Sequence, residues 1–176
     1  MLLNIAKYNS DEAHELRALF EKQLKELYWA EKVMVAKVTG IIADTMSKDL
    51  VMALEKHLLE TIAHSQRLEQ IFSITGIHAE VLEYEAVKCL IKEAEDLIMQ
   101  TKRGVVRDAG IIAVLQKIEH YEIACYGTMR AYAIALREEE AVTLLEYTLE
   151  EEKAADLALS EIAESHINTE AADKEF

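Results

Sequence analysis

Ile118-Glu119-His120-Tyr121-Glu122-Ile123-Ala124-Cys125-Tyr126 sets a carboxylate in the middle of a hydrophobic seam. Ile118, Glu122, Cys125 and Tyr126 follow one another at steps of three and four, the spacing of one helix face. The stripe extends back through Ile111, Ile112 and Leu115 and forward to Met129. Glu119 precedes Glu122 by less than one turn and shares its side of the helix. A carboxylate in an aliphatic seam is costly unless it is neutralised, paired or bound to a cation. The stretch therefore predicts a helix packed among other helices with cations at its centre.

The same anomaly recurs along the chain. Glu31 interrupts the stripe Leu16, Phe20, Leu24, Leu27, Met34, Val38 and Ile41. Glu60 lies beside the stripe Leu54, His57, Thr61, His64, Leu68 and Ile71. Glu152 and Asp156 fall in the stripe Leu145, Leu149, Leu159 and Ala163. A single glutamate on a helical stripe usually snorkels or pairs with a lysine, and Lys22, Lys32, Lys117 and Lys153 offer partners. Four at one height are harder to explain that way. At 1.5 Å rise per residue, all four levels agree to within about one helical turn.

Four core helices follow from these stripes. The first starts at Ser10, an N-cap with Asp11 and Glu12 behind it, and stops before Thr45-Met46-Ser47-Lys48-Asp49. The second spans Lys48 to Thr75 and closes on Gly76. The third begins at the N-cap Asp108 and reaches Leu136. The fourth begins within Arg137-Glu138-Glu139-Glu140 and runs to Ala163. Between the second and third, residues 83–101 form a separate amphipathic helix. It is long enough to carry the chain back along a bundle, which favours a topology with one long crossover. Residues 1–167 are expected to form one domain and residues 168–176 a frayed polar tail.

The bulk composition agrees. The 176 residues hold no Pro, 5 Gly and 51% hydrophobic residues, which suits an all-α domain with a sizeable core. A net charge of −14 argues against nucleic acid and against an anionic membrane surface as partners. Cys89 and Cys125 stand alone, without a C-x-x-C pair, as expected in a reducing compartment. The apolar start, Met1 to Lys7, lacks the length and cleavage site of a signal peptide, and no uncharged run reaches membrane-spanning length. A cytoplasmic location is expected.

Two divalent cations held between helices need several carboxylates and one or two imidazoles. Glu31, Glu60, Glu122 and Glu152 are the best single donors, with Glu119 beside Glu122. His57 and His64 compete for the imidazole role. Asp156 stands one turn beyond Glu152, where a His three residues on is more usual. His120 points away from both glutamates of its helix. The tyrosines, Tyr126 among them, and Trp29 are read as packing residues.

The chain resembles the YciE/YciF family of ferritin-like stress proteins from Leu16 to Ile162. The carrying stretches are Leu27-Tyr28-Trp29-Ala30-Glu31-Lys32, His57-Leu58-Leu59-Glu60-Thr61 with Arg67-Leu68-Glu69-Gln70, Glu119 to Ala124 with Tyr126-Gly127-Thr128, and Thr148 to Ala154 with Asp156. The resemblance implies a ferritin-like four-helix bundle with an additional crossover helix, commonly a homodimer. It implies a rubrerythrin-like dinuclear site on Glu31, Glu60, Glu119, Glu122 and Glu152, with His57 as imidazole, in a stress-response protein; the first functional expectation is that two Fe or Mn ions there react with peroxide or dioxygen. Neither Glu60 nor Glu152 is followed by His at the third position. His57-x-x-Glu60 reverses that order, and Asp156 is the expected substitute for the second His. Two other readings compete: a non-catalytic helical stress protein with a vestigial site, and an iron store, which needs a many-subunit shell.

Overall fold

The computed structural model describes residues 10–173, and side chains from Leu16 to Asp173. The expected cap at Ser10, the stretch Met1 to Lys7 and the last three residues of the tail lie outside the described side chains. The elements are α1 (Ser10–Asp44), α2 (Lys48–Thr75), α3 (Glu85–Gln100), α4 (Val105–Leu136), α5 (Glu139–Ile162), a short π-helical segment (Ala163–Ile167) and α6 (Asn168–Asp173).

Local chemistry sets most of these limits. Ser47 caps α2 by accepting the Leu50 amide, and Gly76 ends it in the left-handed conformation at φ 70°. Arg137 ends α4 in the same conformation at φ 59°, without glycine's freedom. Asp108 is not an N-cap: α4 starts at Val105, and Asp108 is buried in its first turn. Its carboxylate accepts the amides of Met46 and Ser47 at 3.0 and 2.8 Å, so it caps the turn between α1 and α2 instead. The chain does not lose helical structure at Asn168. α6 continues to Asp173, although none of its residues is buried.

α1 packs on α2 and α4, and α5 packs on α2 and α4, closing a four-helix bundle. α3 is the crossover. It leaves the far end of α2, where Arg17 joins Thr75 and Glu138, and returns the chain to the α1–α2 turn, where Arg107 meets Asp44. α3 lies mainly on α4. Gly110 lets Leu97 pack close against α4, because a Cβ there would stand 2.8 Å from the Leu97 side-chain tip, which would have to shift.

Among the described residues the apolar interior forms two clusters. One, at the α1–α2 turn, contains Met34, Val38, Leu50, Leu54, Ile112, Leu115 and Leu159. The other, at the opposite end, contains Phe20, Leu24, Leu27, Leu68, Ile71, Met129 and Leu145. The layer between them is polar: Glu31, His57, Thr61, His64, Glu119, Glu122, Thr148 and Glu152 are all buried. Among the described residues, no helix is long and apolar enough to cross a membrane.

Candidate metal centre

Four helices deliver this layer at one height. α1 brings Glu31, α2 brings His57 and His64, α4 brings Glu119 and Glu122, and α5 brings Glu152. Two groups of donors form within it, each with ligand atoms within 4.8 Å of one another: His57, Glu119, Glu122 and Glu152, and Glu31, His64 and Glu152. Glu152 belongs to both, as a bridging carboxylate would.

His64 turns inward and is 0% exposed. Its Nδ1 stands 2.8 Å from Glu152 Oε1 and 3.5 Å from Glu31 Oε1, and its Nε2 stands 3.0 Å from Glu151 Oε2. Burial alone would drive its pKa down, but the carboxylates of Glu152 and Glu31 override this and push it up to about 11. Arg67 grips both oxygens of Glu151 at 2.5 and 3.0 Å, so the ring is braced from outside. His57 Nε2 lies 3.3 Å from Glu119 Oε1. Burial lowers the His57 pKa and keeps that ring neutral.

The carboxylates divide by environment. Burial, and then the neighbouring Glu152, hold Glu119 well above the ordinary carboxylate range. Burial, and then Glu31 and Glu152, do the same to Glu122. Burial also raises Glu31, against the opposing His64. Glu152 goes the other way: burial would raise it, but the adjacent His64, then Glu119, hold it low. Burial and like charge thus favour protons on Glu119 and Glu122, with an ionised Glu152 beside a protonated His64. Tyr126 donates to Glu31 Oε1 at 2.5 Å and fixes that side chain's rotation.

The layer fits bound cations. Oxygens of Glu31, Glu119, Glu122 and Glu152, and the Nδ1 atoms of His57 and His64, are buried without a hydrogen-bond partner. The close His64 Nδ1 to Glu152 contact is not aligned as a hydrogen bond. Each orphaned buried group costs about 1–3 kcal/mol, more when charged. A set of such atoms converging from four helices is offset by protons, or by cations placed between them. Mostly carboxylate oxygen with some imidazole suits hard or borderline divalent ions.

Two expected donors stand apart from these groups. Asp156 accepts from Gln116 at 3.2 Å and lies 3.3 Å from His120, on the flank of the α4–α5 pair. One turn beyond Glu152 carries it past the seam, and His64 of α2 supplies the imidazole beside Glu152 in its place. Glu60 is half-buried and pairs with Lys56 at 2.5 Å, leaving its other oxygen buried without a partner. The competition between the two imidazoles has no loser, since both face the layer. The Tyr126 hydrogen bond to Glu31 and the Arg67–Glu151 brace were not expected from the sequence, in which Tyr126 reads as a packing residue. The available signal was Arg67 one turn beyond His64 and Glu151 adjacent to Glu152.

Comparison with known proteins bears on the family and the fold. Residues 15–172 match a domain of unknown function, DUF892. Protein YciF of Escherichia coli K12 is 37% identical over 157 residues, covering 89% of this chain and 95% of YciF. The crystal structure of the E. coli stress protein YciF superposes with a TM-score of 0.83 at 36% identity, over 87% of this chain and 97% of that one. YcfI from Rhodopseudomonas palustris gives 0.80 at 35% identity, over 82% and 92%. A protein from Xanthomonas campestris shares the fold at 19% identity and a TM-score of 0.69, over 92% and 98%.

Proposed function

The chain belongs to the DUF892 family, and from that premise we propose that it is a ferritin-like stress-response protein whose bundle holds two divalent ions, Fe or Mn, for reaction with peroxide or dioxygen. The observation that carries this is the layer of converging, partnerless carboxylate and imidazole atoms between two apolar clusters. His57, Glu119, Glu122 and Glu152 would hold one ion, and Glu31, His64 and Glu152 the other. When bound, such a pair supplies a redox centre with positions open to a small oxidant. The protein's own groups prepare the site. Glu119 and His64 hold protons that cations must displace, so loading releases protons and weakens in acid. Tyr126 and the Arg67–Glu151 pair fix the orientation of Glu31 and His64. The apolar clusters above and below exclude water and strengthen every charge interaction in the layer.

Metal analysis after aerobic and anaerobic loading tests the reading. The wild type is expected to retain about two Fe or Mn ions per chain, and Glu122→Gln with Glu152→Gln to lose most of them. Equal metal content in the two proteins would leave a non-catalytic helical stress protein. We also propose a cytoplasmic homodimer, in keeping with the family resemblance and with two free cysteines. Sedimentation velocity showing only monomer at micromolar concentration would remove the dimer.

A further inference from the structure

A pocket of about 50 Å³ lies between α2 and α5 and ends on the carboxylate layer. Its walls are small where the helices face each other: Ala53 from α2, and Ala155 and Ala158 from α5. Its inner end is His57 and Glu119, which are 6% and 1% exposed. His57 Nδ1 and Glu119 Oε2 have no hydrogen-bond partner. Its outer lip is the Lys56–Glu60 ion pair, with Lys56 well exposed and Glu60 mostly covered. Larger pockets of about 510, 420 and 180 Å³ are lined by none of the six residues grouped around the layer.

We propose that this pocket is the entry route for the oxidant, and that its size admits hydrogen peroxide or dioxygen while rejecting bulky aryl-alkyl hydroperoxides. The proposal rests on the dimetal reading above. One water needs about 10–15 Å³ of such space, so the pocket takes a few molecules of that size and falls short of a bulky aryl-alkyl hydroperoxide. A leucine at position 158 has the volume to fill it. Glu60, expected from the sequence to be a ligand, becomes on this view part of the lip, held by Lys56 four residues earlier on the same helix.

The test begins without metal. Deuterium exchange at the imidazole C2–H is followed by mass spectrometry on the chelator-treated full chain. Ala158→Leu is expected to slow exchange at His57 by about tenfold, because a preformed opening is replaced by one that local fluctuation must make. His64, walled off in both proteins, is expected to exchange at the same rate. Lys56→Ala, an exposed change that leaves packing intact, is expected to speed exchange at His57 and serves if Ala158→Leu misfolds by circular dichroism. Unchanged His57 exchange in the folded variants overturns the route. On Fe-loaded protein, Ala158→Leu is expected to slow azide binding with the Fe content unchanged, and the wild type to consume hydrogen peroxide but not cumene hydroperoxide. Equal consumption of both peroxides overturns the size selection. If the wild type holds no metal while His57 exchange responds as expected, the dimetal reading falls and the opening stands. If metal loads fully and neither exchange nor azide binding responds, the route falls and the dimetal reading stands.

Discussion

Glu119, Glu122 and His64 keep protons that the unfolded chain would release, and this gives the metal-free protein an unusual pH dependence. The ordinary value for a glutamate is 4.5, and burial with like charges nearby lifts Glu119 and Glu122 well above it. Between those limits the folded state binds more protons than the unfolded one, so stability falls as pH rises. His64 acts in the same sense. Its contribution is complete below 6.5 and is lost as pH climbs toward about 11. His57 and Glu152, whose values are lowered, contribute stability that is lost only on acidification, below 6.5 and 4.5 respectively. Chelator-treated protein is therefore expected to melt at a lower temperature near pH 9 than near pH 7. Saturating Mn²⁺ is expected to flatten or reverse that slope, because the cations take the place of the protons. Thermal melts at both pH values, with and without metal, check this; a metal-free melting point that rises with pH would contradict it. At the same scale, Glu122→Gln is expected to raise metal-free stability at neutral pH by about 1–3 kcal/mol while weakening metal binding, since the amide is neutral without taking up a proton on folding. Urea titration of the chelator-treated variant measures the first effect.

Helix ends show how far local chemistry reaches. α2 runs over the residues its sequence predicts, because Ser47 and Gly76 act within their own turns. α4 begins earlier than Asp108 suggests, because that carboxylate is used by a turn about 60 residues away in the chain. No pattern local to residues 104–112 reveals such a partner. The left-handed Arg137 offers a direct test at this scale. Arg137→Gly is expected to stabilise the protein by about 0.5–1 kcal/mol, as a side chain in that conformation is strained and glycine is not. A lowered midpoint in urea unfolding would show that the Arg137 side chain contributes more than the strain removes. α3 was legible as a crossover from its own apolar face, whereas the close seating of Leu97 on Gly110 of α4 was not.

At the scale of the molecule, the described interior is two apolar clusters separated by an acidic layer, which makes the middle of the bundle its weak point without metal. Amide hydrogen exchange of chelator-treated protein is expected to be faster around His57–His64 and Glu119–Glu122 than within Leu68–Phe72 or Ile111–Leu115. Added Mn²⁺ is expected to slow the middle selectively, because binding favours only the closed layer. Uniform protection along α2 and α4 in the metal-free protein would contradict this division. The sequence by itself determined the helices, the one-crossover bundle and the common height of Glu31, Glu122 and Glu152. These follow from a repeat of 3.6 residues and a rise of 1.5 Å, which count along the chain. Only the tertiary structure decided that His64 joins His57 inside, that Asp156 turns to Gln116 and His120, and that Glu60 pairs with Lys56 at a pocket's lip. Periodicity assigns a residue to a face of its own helix, whereas side-chain rotation and the choice of partner are set by the neighbouring helices across the seam.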